Sequence, residues 1–147
     1  MTSVLLDTNI LLRLVERSAP EHDIVLAAIE KLSDRGSKLV LASQVLVEFW
    51  VVATRPVAAN GFGWDPPVVG KAIEDLRQRF TVLPEGPDLF DRWLSLVRAK
   101  AVRGKNAHDA RLAAAALVHG VTEILTLNVS DFARFDGVAP VHPSSVA

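Results

Sequence analysis

The sequence predicts an α/β domain built on a central, mostly parallel sheet of about five strands flanked by α-helices. Three observations predict it. Short apolar runs of strand length alternate along the chain with longer stripes of helical period. Turn-forming residues separate nearly every pair of runs. The length of 147 residues suits one domain, 1–147, able to bury about two-thirds of its unfolded surface without a staple. The tail from about residue 141 is expected to fray.

The first run, Val4-Leu5-Leu6, predicts a strand over 3–6 that stops at Asp7, and Ile10-Leu11-Leu12 starts a helical pattern after Thr8-Asn9. Val25, Ala28, Ile29 and Leu32 form one apolar helical face, closed by Arg35-Gly36-Ser37 before a strand over 38–41. The next helix carries Val45, Glu48, Phe49 and Val52 at i, i+3, i+4, i+7, which sets a carboxylate within an apolar stripe. After Arg55-Pro56, the Gly- and Pro-rich stretch from Asn60 to Pro67 carries Phe62 and Trp64, read as a packed plug ahead of a contact surface. Val69, Ala72, Ile73 and Leu76 give another helix, followed by a strand over 80–83 and a break from Pro84 to Pro87. Phe90, Trp93, Leu94 and Val97 mark a further helix. Asp109 opens an alanine-rich helix over Ala110–Val118 whose small residues allow close approach to the sheet. Gly120 ends it, and strands are expected over 122–126 and 138–141.

Composition excludes several classes. With no cysteine there is no thiol catalysis, thiolate zinc site or disulfide, which suits a reducing cytoplasm. No run approaches a membrane span, and the start lacks the basic region of a signal peptide, so a cytoplasmic protein with no membrane partner is expected. The net charge of -1 argues against a generally basic nucleic-acid coat. Charge is nonetheless uneven: Arg98, Lys100, Arg103, Lys105 and Arg111 fall within fourteen residues holding one acid, Asp109. The stretch from Arg98 to Lys105 is read equally as a solvated helix end and as an RNA contact.

The candidate site is a set of four acids, Asp7, Glu48, Asp109 and Asp131, spread along the chain in four different apolar contexts. In parallel α/β sheets the carboxyl ends of strands form the ligand crevice, where Asp7 and the 128–131 loop would meet. Glu48 and Asp109 would arrive from helices. Carboxylates gathered in one pocket require a counter-charge, and a hard divalent cation, Mg2+ or Mn2+, supplies it through oxygen ligands. Such an ion acidifies water and holds phosphate oxygens, and the chain has no Walker-type glycine loop, so phosphodiester hydrolysis is favoured over nucleoside triphosphate chemistry. Each acid also has a plainer reading: Asp7, Asp109 and Asp131 as caps of the turns or helices that follow them, Glu48 as a solvent-facing residue or the partner of an arginine such as Arg13. His108 is read as structural or supporting rather than as a base. Arg13 and Arg111 are the candidate RNA-phosphate contacts, since arginine matches phosphate bidentately.

The strings Leu5-Leu6-Asp7-Thr8-Asn9-Ile10-Leu11-Leu12 and Ser43-Gln44-Val45-Leu46-Val47-Glu48-Phe49-Trp50 resemble PIN-domain ribonucleases, particularly VapC-like toxins. So do His108-Asp109-Ala110-Arg111-Leu112-Ala113 and Leu125-Thr126-Leu127-Asn128-Val129-Ser130-Asp131-Phe132, and the four together span nearly the whole chain in order. The resemblance implies a magnesium-dependent endoribonuclease, the toxin of a toxin–antitoxin pair. By it, Asp7 and Asp109 are the principal metal ligands, Glu48 binds metal directly or through water, and Asp131 completes the acidic rim. Asn9 and Thr126 orient the carboxylates. Asn128 stands where some relatives carry an acid, and its amide adds no charge for a second metal. A cognate antitoxin and a homodimer are also implied. The competing readings are a non-catalytic module that binds RNA or protein, kept open by Asn128, and an aspartyl-nucleophile phosphatase. The latter is disfavoured because Asn9 stands where that chemistry places a second acid.

Overall fold

The structure, a computed structural model, describes residues 2–147; Met1 lies outside them. Five strands form one all-parallel sheet: β1 (Ser3–Leu6), β2 (Lys38–Ala42), β3 (Thr81–Leu83), β4 (Glu123–Leu125) and β5 (Ala139–Val141). Six helices connect and flank them: α1 (Thr8–Val15), α2 (His22–Asp34), α3 (Ser43–Thr54), α4 (Pro66–Arg79), α5 (Asp88–Ala99) and α6 (Asn106–Val118). The order across the sheet is β3-β2-β1-β4-β5. The chain thus builds outward from β1 through β2 and β3, then returns to the other side of β1 with β4 and β5. That reversal opens a crevice at the carboxyl ends of β1 and β4.

Successive residues of the central strands are buried, Val4, Leu5 and Leu6 in β1 and Leu39 to Ala42 in β2, so both faces of the sheet are covered. The register pairs Leu5 with Val40 on one side and with Ile124 on the other. In α6, Ala110, Ala113, Ala114 and Ala116 are fully buried, and the helix packs closely on α5. This helix starts at Asn106 rather than at Asp109, so Asp109 lies inside the first turn and is not a cap.

Two loop expectations resolve differently. Phe62 and Trp64 meet tilted at 55°, 4.8 Å between ring centroids, and pack partly buried against the core. Their backbone amides donate to the carbonyls of Val52 and Ala53, which the end of α3 leaves unpaired. Gly61 permits this return, because a Cβ there would sit 1.9 Å from the Arg55 carbonyl oxygen. The C-terminal tail, by contrast, is docked on the domain. Val141 belongs to β5, the 3-10 turn Pro143–Ser145 packs on α2, Val146 is buried, and Lys31 and Arg35 donate to the carbonyls of Val146 and Ala147. Proline punctuation and a short polar end mask this docking in the sequence, where Val141, Pro143 and Val146 are scattered apolar anchors without a stripe.

Candidate active site

Asp7 leaves the end of β1 in an extended conformation and caps α1, its Oδ1 accepting from the Thr8 amide at 2.7 Å. Its backbone amide donates to the Leu125 carbonyl, which continues the β1–β4 register one residue past the strands. Oδ2 accepts from Thr126 Oγ1 at 2.8 Å and from Asn9 Nδ2 at 3.2 Å. Thr126 is fully buried at the end of β4 and also accepts from the Asn128 amide, while Asn9 Oδ1 accepts from the Leu127 amide. Capping and a pocket position are therefore one arrangement: Asp7 is held from α1, β1 and β4 at the switch point.

Above this floor lies a cleft of about 590 Å3 whose walls include Glu48 from α3, Asp109 from α6 and Asp131 from the 3-10 turn Val129–Asp131. Glu48 Oε2 accepts from the Thr8 hydroxyl at 3.1 Å, and Oε1 accepts from Gln44 Nε2 at 2.8 Å. Asp131 is exposed, but the next residue, Phe132, is fully buried and anchors the turn. Glu48, Asp109 and Asp131 thus line one cleft, and Asp7, outside that lining, lies near enough to feel the charges of Glu48 and Asp131. Asn128 stands at the head of the same turn with its side chain exposed.

The electrostatics follow from crowding. Burial pushes the Asp7 carboxyl up from 3.8 to about 6, against hydrogen bonds from Thr126 and Thr8 that favour the ionised form, with Glu48 and Asp131 adding repulsion. Burial also raises Asp109 to about 6, assisted by the negative charges of Asp131, Asp7 and Glu48 and opposed by His108. Hard carboxylate oxygens whose ionised forms are disfavoured are a donor set suited to a divalent cation. Among the described residues no three His, Asp or Glu side chains close into a metal cage. The arrangement is an acidic crevice with room for water, which suits an ion that keeps part of its hydration shell.

Comparison with known proteins settles the family. The PIN domain pattern matches residues 4–138. The chain belongs to the PIN domain family. It is 29% identical over 138 residues to ribonuclease VapC24 of Mycobacterium tuberculosis, covering 88% of this chain and 89% of that protein. Among solved structures it resembles VapBC2 from Rickettsia felis bound to a DNA fragment from its promoter, with a TM-score of 0.73 at 14% identity over 96% of this chain and 98% of that one. It also resembles a toxin–antitoxin complex from Klebsiella pneumoniae, with a TM-score of 0.60 at 21% identity over 95% and 97%. Ribonucleases of this family are generally dependent on a divalent metal.

The arginines of this PIN domain are placed otherwise than expected. Arg13 lies six residues beyond Asp7 in α1 and pairs with Glu16 at 3.0 Å and Glu21 at 3.6 Å, away from Glu48 and the cleft. Arg111 donates to Gln44 Oε1 at 3.0 Å and to both Glu85 oxygens at 3.1 Å. Both are already neutralised by acids that the linear sequence does not place beside them, save Glu16 three residues on. The cation at the cleft wall is Lys105, from the basic stretch. Three further residues of the site carried little signal. Thr8 is recognisable only as the neighbour of Asp7, Gln44 only by its i, i+4 spacing to Glu48, and Glu85 by nothing local.

Proposed function

We propose that this protein is a metal-dependent endoribonuclease, the toxin of a toxin–antitoxin pair, acting in the cytoplasm on RNA. The observation that carries the reading is the convergence of Asp7 and Asp109, both with raised carboxyl pKa, with Glu48 and Asp131 at the switch-point crevice. Membership of the PIN family and likeness to a ribonuclease along most of the chain support it.

Asp7 and Asp109 would hold Mg2+, or Mn2+, with Glu48 binding directly or through water and Asp131 closing the rim. When bound, such an ion supplies the Lewis acidity that activates water and stabilises charge on a phosphodiester. The chain's own residues do the rest. Thr126 and Asn9 fix the Asp7 carboxylate and keep it from rotating. Thr8 and Gln44 hold Glu48 by one oxygen each. Lys105 draws the RNA backbone toward a crevice that would otherwise repel it.

An antitoxin protein is the partner, and likeness to toxin–antitoxin assemblies supports it. Val47, Trp50 and Val51 on α3 and Phe90 on α5 are exposed, a supply of apolar surface for the antitoxin or for a homodimer.

The test uses purified protein freed of any partner, total cellular RNA, and Mg2+ or Mn2+, beside an Asp7→Asn/Asp109→Asn variant and an EDTA control. Discrete metal-dependent products from the native protein alone are expected, with a loss of at least about 10²-fold in the variant. RNA binding without products, in folded protein, would favour the non-catalytic module.

A further inference from the structure

We infer that Gln44, clamped by the Arg111–Glu85 pair, is a positioning residue that fixes the Glu48 carboxylate relative to Asp109 for cation binding; this rests on the metal-site reading above. The Gln44 amide is fully committed. Its nitrogen donates to Glu48 Oε1 and to the His108 carbonyl, each at 2.8 Å, and its oxygen accepts from Arg111 Nη1 at 3.0 Å. Both amide hydrogens meet acceptors and the amide oxygen meets a guanidinium, so the partners allow only one orientation of the amide.

The geometry gives this one side chain two tasks. Gln44 and Glu48 share a face of α3 one turn apart, so the first bond limits the rotamers of the carboxylate. The second bond crosses to α6 at the residue immediately before Asp109. Gln44 thereby sets the spacing of two helices that each carry a wall acid. On its far side, Arg111 is held by Glu85, whose Oε1 also accepts from Ser43 Oγ at 2.7 Å. The Glu85 carboxylate engages the guanidinium, whose bonds go to Glu85 and Gln44 rather than to Glu48 or Asp109. Without that clamp, Arg111 sits two residues from Asp109 as a cation able to compete for the carboxylates.

The experiment measures Mn2+ affinity by titration calorimetry on the full-length, partner-free chain, together with RNA cleavage kinetics. The variants are Gln44→Met, which keeps the length without the hydrogen bonds, Gln44→Ala, Glu48→Ala and the Gln44→Met/Glu48→Ala double variant. A loss of Mn2+ affinity of about 10-fold is expected for Gln44→Met, within the 10- to 100-fold range of groups that orient ligands. In cleavage, kcat should fall with little change in KM. In the Glu48→Ala background the same substitution should cost clearly less than in the native protein, only the part exerted through His108 and Asp109 remaining, because residues acting through one another are not additive. Native-like Mn2+ affinity in a folded Gln44→Met or Gln44→Ala protein would overturn the proposal alone. So would an equal loss in the Glu48→Ala background. Failure of the native protein to bind Mn2+ would overturn the metal-site reading and this proposal together.

Discussion

The floor and the rim of the acidic crevice are built on opposite terms. At the floor, Asp7 has both oxygens occupied by donors from three residues, and its backbone is bonded into the sheet register. At the rim, Asp131 sits exposed on a single 3-10 turn, secured through the burial of Phe132 rather than through its own carboxylate. The difference teaches where precision comes from in this fold. Strand register places one carboxylate rigidly, and the helices and turn around it bring others that a bound ion can draw in. Thr126→Val breaks the floor with almost no change of volume. It removes the donor to Asp7 Oδ2 and leaves the Asn128 amide without its acceptor, so a 10- to 100-fold loss of cleavage is expected. Unfolding free energy should also fall by about 1–3 kcal/mol. Asn128→Ala on the exposed turn should change cleavage and thermal stability little; parity of the two variants in paired assays would remove the distinction.

The same contrast separates what was legible in the sequence from what was not. β1, β2 and the order of alternating elements follow from apolar runs fully buried on both faces, so period and burial agree. The role of Thr126 came from the family resemblance, and the structure sets it one residue past β4, bonded to Asp7 one residue past the adjacent β1. The carboxylate partners of the arginines were not legible for a physical reason. An arginine's partner is chosen by tertiary geometry, and Arg111 meets Glu85, 26 residues away, from a loop with no periodicity to place it. Gln44 was likewise invisible as a site residue, because its role lies in reaching across to His108 on another helix. The docking of the tail was hard to read because Pro143, Val146 and two backbone acceptors carry it, a weaker signature than any stripe.

Titration sharpens the comparison. Asp7 has a carboxyl pKa of about 6 when folded against an ordinary 3.8, so between those values the native state binds more protons than the unfolded chain. Stability of the metal-free protein therefore falls as pH rises through that window and stays lowered above it. The shift corresponds to on the order of 3 kcal/mol as an upper bound. Asp109 acts in the same direction, with a smaller effect because it is more open to solvent. Asp7→Asn should flatten this slope and raise the metal-free melting temperature at pH 7.5 by several degrees. Mn2+ binding requires the ionised acids, so native affinity should increase with pH through about 6. Thermal melts at pH 4.5 and 7.5, with and without Mn2+, test both signs; a metal-free Asp7→Asn protein less stable than native at pH 7.5 would refute the account of a buried, disfavoured Asp7 charge.

The smallest effect concerns the cations, where rim and periphery part company. Lys105 lines the cleft, whereas Arg13 is spent on Glu16 and Glu21. A single phosphate contact contributes about 0.7 to the slope of log affinity against log salt for a single strand. Lys105→Ala should therefore lower the slope by roughly that amount and weaken RNA binding several-fold, measured in an Asp7→Asn background so that no cleavage intervenes. Arg13→Ala should leave the slope unchanged, since its guanidinium already has carboxylate partners and none of the wall acids. A slope that drops for Arg13→Ala and not for Lys105→Ala would mean that RNA approaches over α1. The lysine would then be an ordinary solvated cation at the edge of the crevice.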